Sequence, residues 1–267
     1  MNYRILLVGG GTGGHVYPLI AIIQELQKTA QEKDLNLELI VITESNKWRM
    51  EFDGLGVKFR KILTPKLRKY EGNLNLIDIF KLPITLIQSL WYLFIFMPDL
   101  VFAKGGYVSV IPSLVGRLYF TPLFIHDSDA VLKGANKFLS RFAKKIFVSF
   151  EGVMPALKNK EVILSGNPIR KNLLEGDKNT ATLKFNLSLD KKTILFLGGS
   201  QGAFSINKLL IESLVQLTKD FQVIHQAGLG NFEAVREAVE KIKGEGTESY
   251  GKNIENNYRV YDFLAEE

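Results

Sequence analysis

The chain carries two copies of one local pattern: a short apolar run, a glycine-rich turn, then a segment with helical spacing. The first is Ile5-Leu6-Leu7-Val8 followed by Gly9-Gly10-Gly11-Thr12-Gly13-Gly14-His15. The second is Ile194-Leu195-Phe196-Leu197 followed by Gly198-Gly199-Ser200-Gln201-Gly202-Ala203. A continuous apolar run suits a strand buried on both faces of a parallel sheet. Glycine allows a sharp turn and close approach of a ligand to the backbone. The following helix start presents free N–H groups and partial positive charge to an anion. Two such units, far apart in the chain, predict two doubly wound halves serving one phosphate-bearing ligand.

The segments between them alternate as such a fold requires. Strands are predicted at Leu37–Thr43, Val57–Leu63, Leu100–Ala103, Pro122–His126, Lys145–Phe150 and Val162–Leu164. Helices are predicted at Pro18–Gln31, Leu74–Met97, Ser109–Leu118 and Lys133–Ala143. The second unit continues with a helix at Ala203–Leu217, a strand at Phe221–His225, a helix at Phe232–Ile242 and a strand at Tyr258–Phe263. The polar stretch around Asp177-Lys178-Asn179-Thr180 reads as linker. The domains are accordingly set at 1–165 and 166–267.

Composition narrows the function. The chain of 267 residues has no cysteine, which excludes disulfides, thiol catalysis and cysteine-ligated zinc. Residues 1–200 hold 27 Lys+Arg against 17 Asp+Glu, and residues 201–267 hold 7 against 11. A basic first part suits an anionic partner: nucleic acid, an anionic membrane surface or a diphosphate. No secretory signal is visible, and the cytoplasm is the expected compartment.

The apolar run Ile84–Met97 is too short for a membrane span, which needs about 20 apolar residues. Leu86, Leu90, Trp91 and Leu93 read as a core stripe. The nearby Lys66, Arg68, Lys69 and Lys81 leave interfacial docking on anionic lipid as the alternative.

Three histidines each follow or end a predicted strand. Ligands of open parallel sheets sit at the carboxyl ends of strands. His15 is therefore the candidate for deprotonating a bound group, while His126 and His225 read as structural or supporting. Asp127 and Asp129 could act as acid or base, or cap the loop. Gly9, Gly11 and Gly14 also satisfy the dinucleotide spacing, with Glu44 as a ribose ligand, so an NAD(P)- or FAD-dependent oxidoreductase is the competing function. No lysine follows either loop in the P-loop position.

Four motifs occur in one order: GGGTGGHVYP from Gly9, GGYVS at Gly105–Ser109, GNPIR at Gly166–Arg170 and GGSQGA at Gly198–Ala203. Together they resemble the MurG family, the lipid-linked N-acetylglucosaminyltransferases of peptidoglycan synthesis. The resemblance implies a GT-B α/β fold: two Rossmann-like doubly wound domains facing a cleft, the second incomplete because the family's sequences extend past Glu267. It implies inverting transfer of N-acetylglucosamine from UDP-N-acetylglucosamine to the 4-hydroxyl of lipid I, without cofactor or bound metal and without nucleic acid. It places His15 as catalytic residue near the acceptor. It gives Thr12, Gly13, Gly14, Asp129, Arg170, Ser200 and Leu264 donor contacts, and Gly105, Gly106 and Tyr107 the acceptor side. Asp129 stands where the family carries an amide. The resemblance further implies a peripheral position on the cytoplasmic face of the plasma membrane. It leaves room for a separate polypeptide supplying the rest of the second domain, and the 267-residue chain alone is expected to be a poor transferase.

Overall fold

The computed structural model describes residues 2–65, 76–199 and 202–264. The backbone divides into two compact units, Met1–Leu174 and Glu175–Glu267. The division falls nine residues beyond the boundary expected from sequence. The GNPIR segment belongs to the first unit because its contacts lie there. His126 Nε2 donates to the Gly166 carbonyl at 3.0 Å, Ser128 Oγ donates to Asn167 Oδ1 at 2.5 Å, and the Arg170 guanidinium covers the Tyr17 ring at 4.3 Å.

The first unit runs β1 (Asn2–Gly9), α1 (Gly13–Glu32), β2 (Asn36–Thr43), α2 (Arg49–Gly54), β3 (Lys58–Lys61), α3 (Leu76–Phe96), β4 (Leu100–Gly105), α4 (Val110–Leu118), β5 (Leu123–Asp127), α5 (Gly134–Leu139), β6 (Lys145–Val148) and β7 (Glu161–Leu164). The seven strands among the described residues are all parallel, in the order β3-β2-β1-β4-β5-β6-β7. The order reverses between β1 and β4, which opens a crevice at their carboxyl ends.

Strand alternation assigns the two faces. Leu6 and Val8 enter one core with Leu93 and Phe96 of α3, Val115 of α4 and Leu139 of α5. Leu7 between them enters the other, with Val16, Leu19 and Ile23 of α1 and Phe52 of α2. This two-sided burial is why the strands read as unbroken apolar runs.

The α3 helix departs from the expected core stripe. Leu93 is fully buried and Leu90 packs on the core, but Leu86 and Trp91 point outward. They share the exposed side with Phe80, Ile87, Phe94 and Ile95, and Trp91 is 61% exposed. The inward side instead holds polar groups that tie α3 to the chain after β3. Thr85 Oγ1 donates to the Leu63 carbonyl, Gln88 Oε1 accepts from the Leu63 N–H at 2.9 Å, and Ser89 Oγ donates to the Thr85 carbonyl at 2.7 Å. The side chains of Lys66, Arg68 and Lys69 lie outside the described residues.

The second unit runs α6 (Lys178–Lys184), β8 (Lys192–Leu197), α7 (Phe204–Asp220), β9 (Phe221–Gln226), α8 (Phe232–Glu245), α9 (Glu248–Asn257) and β10 (Tyr258–Tyr261). Its described strands form a parallel sheet with β9 in the middle. Leu210 and Leu214 of α7, Val235 and Val239 of α8 and Ile254 of α9 close one core against Val223. On β8, Leu195 and Leu197 remain half exposed.

Two helices here were missed in the sequence. The polar run at 177–180 is a helix start, with the Asp177 carboxylate accepting from the Thr180 N–H at 2.6 Å. The α9 sequence ESYGKNIENN has little apolar spacing, and docking of buried Ile254 and Asn257 holds it. The Asn257 amide donates to the Thr218 carbonyl at the end of α7, at 2.9 Å.

Candidate active site at the strand ends

The crevice of the first unit is built by two glycine turns pressed together. Gly11 (φ +92°), Gly105 (φ +104°) and Gly106 (φ +80°) occupy backbone conformations that favour glycine. A Cβ on Gly106 would stand 2.7 Å from the Gly10 carbonyl, and one on Gly9 would stand 2.8 Å from Leu19. The first loop therefore fits only against the second.

Glu44, the expected ribose ligand, has a different task. Its Oε1 accepts from the Gly11 N–H at 2.5 Å, and its Oε2 accepts from the Thr43 hydroxyl at 3.2 Å. The carboxylate pins the glycine loop from inside and is not offered to a sugar. This removes the residue on which the oxidoreductase alternative rested.

Thr12 stands at the N-cap of the 20-residue α1 in extended conformation, with no side-chain cap bond. The His15 and Val16 N–H groups donate to the Thr12 carbonyl at 3.1 and 3.3 Å, which leaves the Gly13 and Gly14 N–H groups at the open start of the helix. Gly13 is buried against Tyr17 and Trp48, which meet edge-on with ring centres 5.5 Å apart. Arg170 lies over the outer side of that pair. The structure thus gathers Thr12, Gly13, Gly14, His15, Gly105, Gly106, Tyr107 and Arg170 at one end of the first unit. Tyr107 approaches Gly11, with its Cε1 3.7 Å from where a Cβ on Gly11 would be.

His15 is the third residue of α1. Its imidazole is directed at the Lys104 carbonyl, and its Nδ1 is buried with no hydrogen-bond partner among the described residues. Burial, then the Lys104 ammonium, hold its pKa below the ordinary histidine value, against the opposing pull of Asp129 and Asp127. A neutral imidazole with one free lone pair is the state a general base requires.

Asp127 is a capping residue. Its Oδ1 accepts from the Asp129 N–H at 2.8 Å and its Oδ2 accepts from the Asn136 amide at 3.0 Å. Asn136 donates to the His126 carbonyl as well, at 3.0 Å, and packs under Gly105. Asp129 itself is exposed. His126 donates through Nε2 to Gly166, and burial pushes its pKa down to about 4. Its Nδ1, like that of His15, is buried with no hydrogen-bond partner among the described residues.

Sequence reasoning missed Lys104 and Asn136. A lysine inside an otherwise apolar run, directly before two glycines, was the available signal for the first, because lysine is almost never fully buried without partners. Asn136 has no comparable signal.

In the second unit, Ser200 lies outside the described residues. Leu264 is placed by its backbone: its N–H donates to Gln226 Oε1 at 3.1 Å, while Gln226 Nε2 donates to the Gly199 carbonyl at 2.9 Å. One buried amide thereby joins the glycine loop after β8 to the segment after β10. Gly202 (φ +73°) packs so closely that a Cβ would meet the Ala227 carbonyl. His225 sits in the core below. Its Nε2 donates to Asn207 Oδ1 at 3.0 Å, its Nδ1 accepts from the Tyr258 hydroxyl at 2.8 Å, and Asn207 Nδ2 donates to the Ala227 carbonyl at 2.9 Å.

Each unit thus carries a glycine turn at the strand ends of a parallel sheet, an arrangement that suits a phosphate-bearing ligand. The chain matches the glycosyltransferase family 28 N-terminal domain over residues 5–148 and the family 28 C-terminal domain over residues 193–266. It belongs to that family. The UDP-N-acetylglucosamine--N-acetylmuramyl-(pentapeptide) pyrophosphoryl-undecaprenol N-acetylglucosamine transferase of Lachnospira eligens is 36% identical over 230 residues, 86% of this chain and 64% of that protein. Its namesake in Legionella pneumophila is 36% identical over 242 residues, 90% of this chain and 65% of that protein. The chain therefore spans just under two thirds of these relatives. A crystal structure of MurG from Acinetobacter baumannii shares the fold, with a TM-score of 0.64 and 22% identity, over 100% of this chain and 69% of that one. So does a UDP-GlcNAc 2-epimerase from Neisseria meningitidis, solved with UDP-GlcNAc bound, with a TM-score of 0.68 and 16% identity over 98% and 72%.

Proposed function

We propose that the chain carries the acceptor site and part of the donor site of an inverting N-acetylglucosaminyltransferase. The donor is UDP-N-acetylglucosamine and the acceptor is the 4-hydroxyl of a lipid-linked muramyl-pentapeptide diphosphate. The single observation that carries this reading is the unpartnered Nδ1 of neutral His15, buried beside two interlocked glycine turns at the β1–β4 switch point. The names of the family relatives support the choice of donor and acceptor.

In this reaction His15 Nδ1 takes the proton of the acceptor hydroxyl. The hydroxyl oxygen bonds to the anomeric carbon from the face opposite the diphosphate. The bond to the diphosphate oxygen breaks, and its electron pair leaves with UDP. Asp127 and Asp129 stabilise the imidazolium as it forms. The N–H groups at the start of α1 and Arg170 offer positive charge to phosphate oxygens. In the second unit Gln226 holds the Gly199 turn and the Leu264 segment together.

The acceptor's lipid tail gives the outer side of α3 a purpose. Trp91 and Ile95 line a groove of about 350 Å³ with Arg4, Arg60 and the Lys58–Glu38 ion pair, and Phe94 is exposed on the same helix. Apolar side chains next to cations suit the surface of an anionic bilayer. No described helix is long and apolar enough to cross a membrane.

The test is transfer from UDP-N-acetylglucosamine to a lipid I analogue by the purified chain, alone and joined to the corresponding further segment of a family relative. Product that requires His15 supports the reading. Absence of product from a joined, folded and UDP-binding chain overturns it.

A further inference from the structure

Lys104 is the least expected side chain of the first unit. It lies on the central strand β4, yet it is only 1% exposed. Along the β1–β4 pair, Val8 faces Ala103 and Gly9 faces Gly105, so Lys104 is the extra residue of a bulge. Bulges re-aim one side chain and recur beside active sites. Here the bulge sends the ammonium to the carboxyl end of the sheet. Nζ donates to Ser128 Oγ at 2.7 Å, and Ser128 Oγ donates onward to Asn167 Oδ1. The carboxylates of Asp127 and Asp129 face it. Its own carbonyl is the group toward which the His15 imidazole turns. One residue thus reaches His15 twice, through its backbone and through its charge.

We infer that Lys104 is the positioning residue of the His15 site: its backbone lies against the imidazole, and its ammonium, anchored on Ser128, ties the segment that carries Asp127 and Asp129 to Asn167 beside it. The inference rests on the acceptor-side reading of His15. A packing role alone does not explain the residue, because an apolar side chain at a buried bulge packs without the desolvation cost of an ammonium. Burial pulls the Lys104 pKa down to about 8, which leaves the cation in place at neutral pH. The charged groups acting on His15 are Lys104 from β4 and Asp127 and Asp129 from the end of β5. His126 from β5 also feels Lys104, and Glu44 after β2 is engaged by the Gly11 N–H. With the cation removed, the two carboxylates act unopposed and favour the imidazolium.

The experiment is a histidine NMR titration of the whole chain, which holds three histidines; His15→Gln assigns the His15 signal. In Lys104→Met the His15 midpoint should rise by about 0.5–1 pH unit. Lys104→Arg should return it toward the parent value. Asp129→Asn, at an exposed site, should move it the other way, and Lys104→Gln, which removes the charge but keeps a donor for Ser128, decides the matter if Lys104→Met fails to fold. A His15 midpoint unmoved in folded Lys104→Met and in Asp129→Asn overturns the inference and leaves Lys104 a structural counter-ion. The titration needs no turnover. Coupling without transfer activity would therefore sink the proposed reaction and spare Lys104, and transfer activity without coupling would do the reverse.

Discussion

The Gly10 carbonyl lies over Gly106 across the β1–β4 crevice, so that a methyl group on Gly106 would sit 2.7 Å from that oxygen. His15 lies directly alongside: its Cδ2 is 3.5 Å from the same methyl position. Gly106→Ala combines this clash with φ +80°. We expect it to destabilise the first unit by about 1–3 kcal/mol, read by urea unfolding. Gly54→Ala is the control. It adds a methyl to open space at the end of a helix, and should be neutral or stabilising by up to about 1 kcal/mol. Equal effects of the two would refute the interlock.

Acid should weaken both units through their buried histidines. Burial pushes His225 and His126 from the ordinary value of 6.5 to about 4 in the folded protein. Between pH 6.5 and 4 the unfolded chain binds the proton and the folded chain does not. Stability is therefore fully present above pH 6.5 and falls as the pH drops toward 4, by up to about 1.4 kcal/mol per pH unit for each histidine. Calorimetry across this range should show the loss, and His225→Phe should flatten the acid slope of the second unit. A slope identical to the parent's would show that His225 does not contribute.

Removal of the Asn207 amide tests the same core without a pH change. Asn207→Ala leaves the His225 Nε2–H and the Ala227 carbonyl without their acceptor and donor. The cost should be about 1–3 kcal/mol for each stranded group. Destabilisation below about 0.5 kcal/mol would mean that water replaces the amide fully.

Gln226 holds Gly199 and Leu264 together at the strand ends of the second unit. Gln226→Ala should weaken UDP binding about tenfold, corresponding to about 1.4 kcal/mol, measured by calorimetry on a chain that binds UDP. The Arg170→Ala variant should lose about 1.5–3 kcal/mol of UDP affinity, the range for a hydrogen bond to a charged group. Unchanged affinity in Arg170→Ala would confine that residue to its contact with Tyr17.

The outer side of α3 should bind anionic vesicles. Trp91→Ser with Phe94→Ser removes two exposed aromatic side chains and leaves Leu90 and Leu93 in the core. Co-sedimentation with phosphatidylglycerol vesicles should fall about tenfold or more, and binding by the parent should weaken as salt rises. Equal binding of parent and double variant would move the membrane surface elsewhere.

The central strands of the first unit were legible because burial on both faces writes itself as unbroken apolar runs, while β8 shows the same run with Leu195 and Leu197 half exposed; the helices were legible because α1, α3, α4, α7 and α8 need a continuous apolar face. The glycine turns were legible for a related reason: only glycine serves where φ is positive and two backbones touch. The sequence alone therefore determined the doubly wound class, the two loops and the candidacy of His15. Short-range pattern could not decide the rest. Helix α9 carries little periodicity and is fixed by where Ile254 and Asn257 dock. Glu44 sits where a ribose ligand would, and only the fold shows its carboxylate turned onto Gly11. The side of α3 that faces out depends on which residues meet the chain after β3, so Trp91 and Leu93 exchanged the roles their apolarity suggested they would share. Lys104 owes its importance to a one-residue slip between two strands about 95 positions apart in the chain. Such contacts are set by tertiary register, and register is a property of the whole sheet rather than of any segment within it.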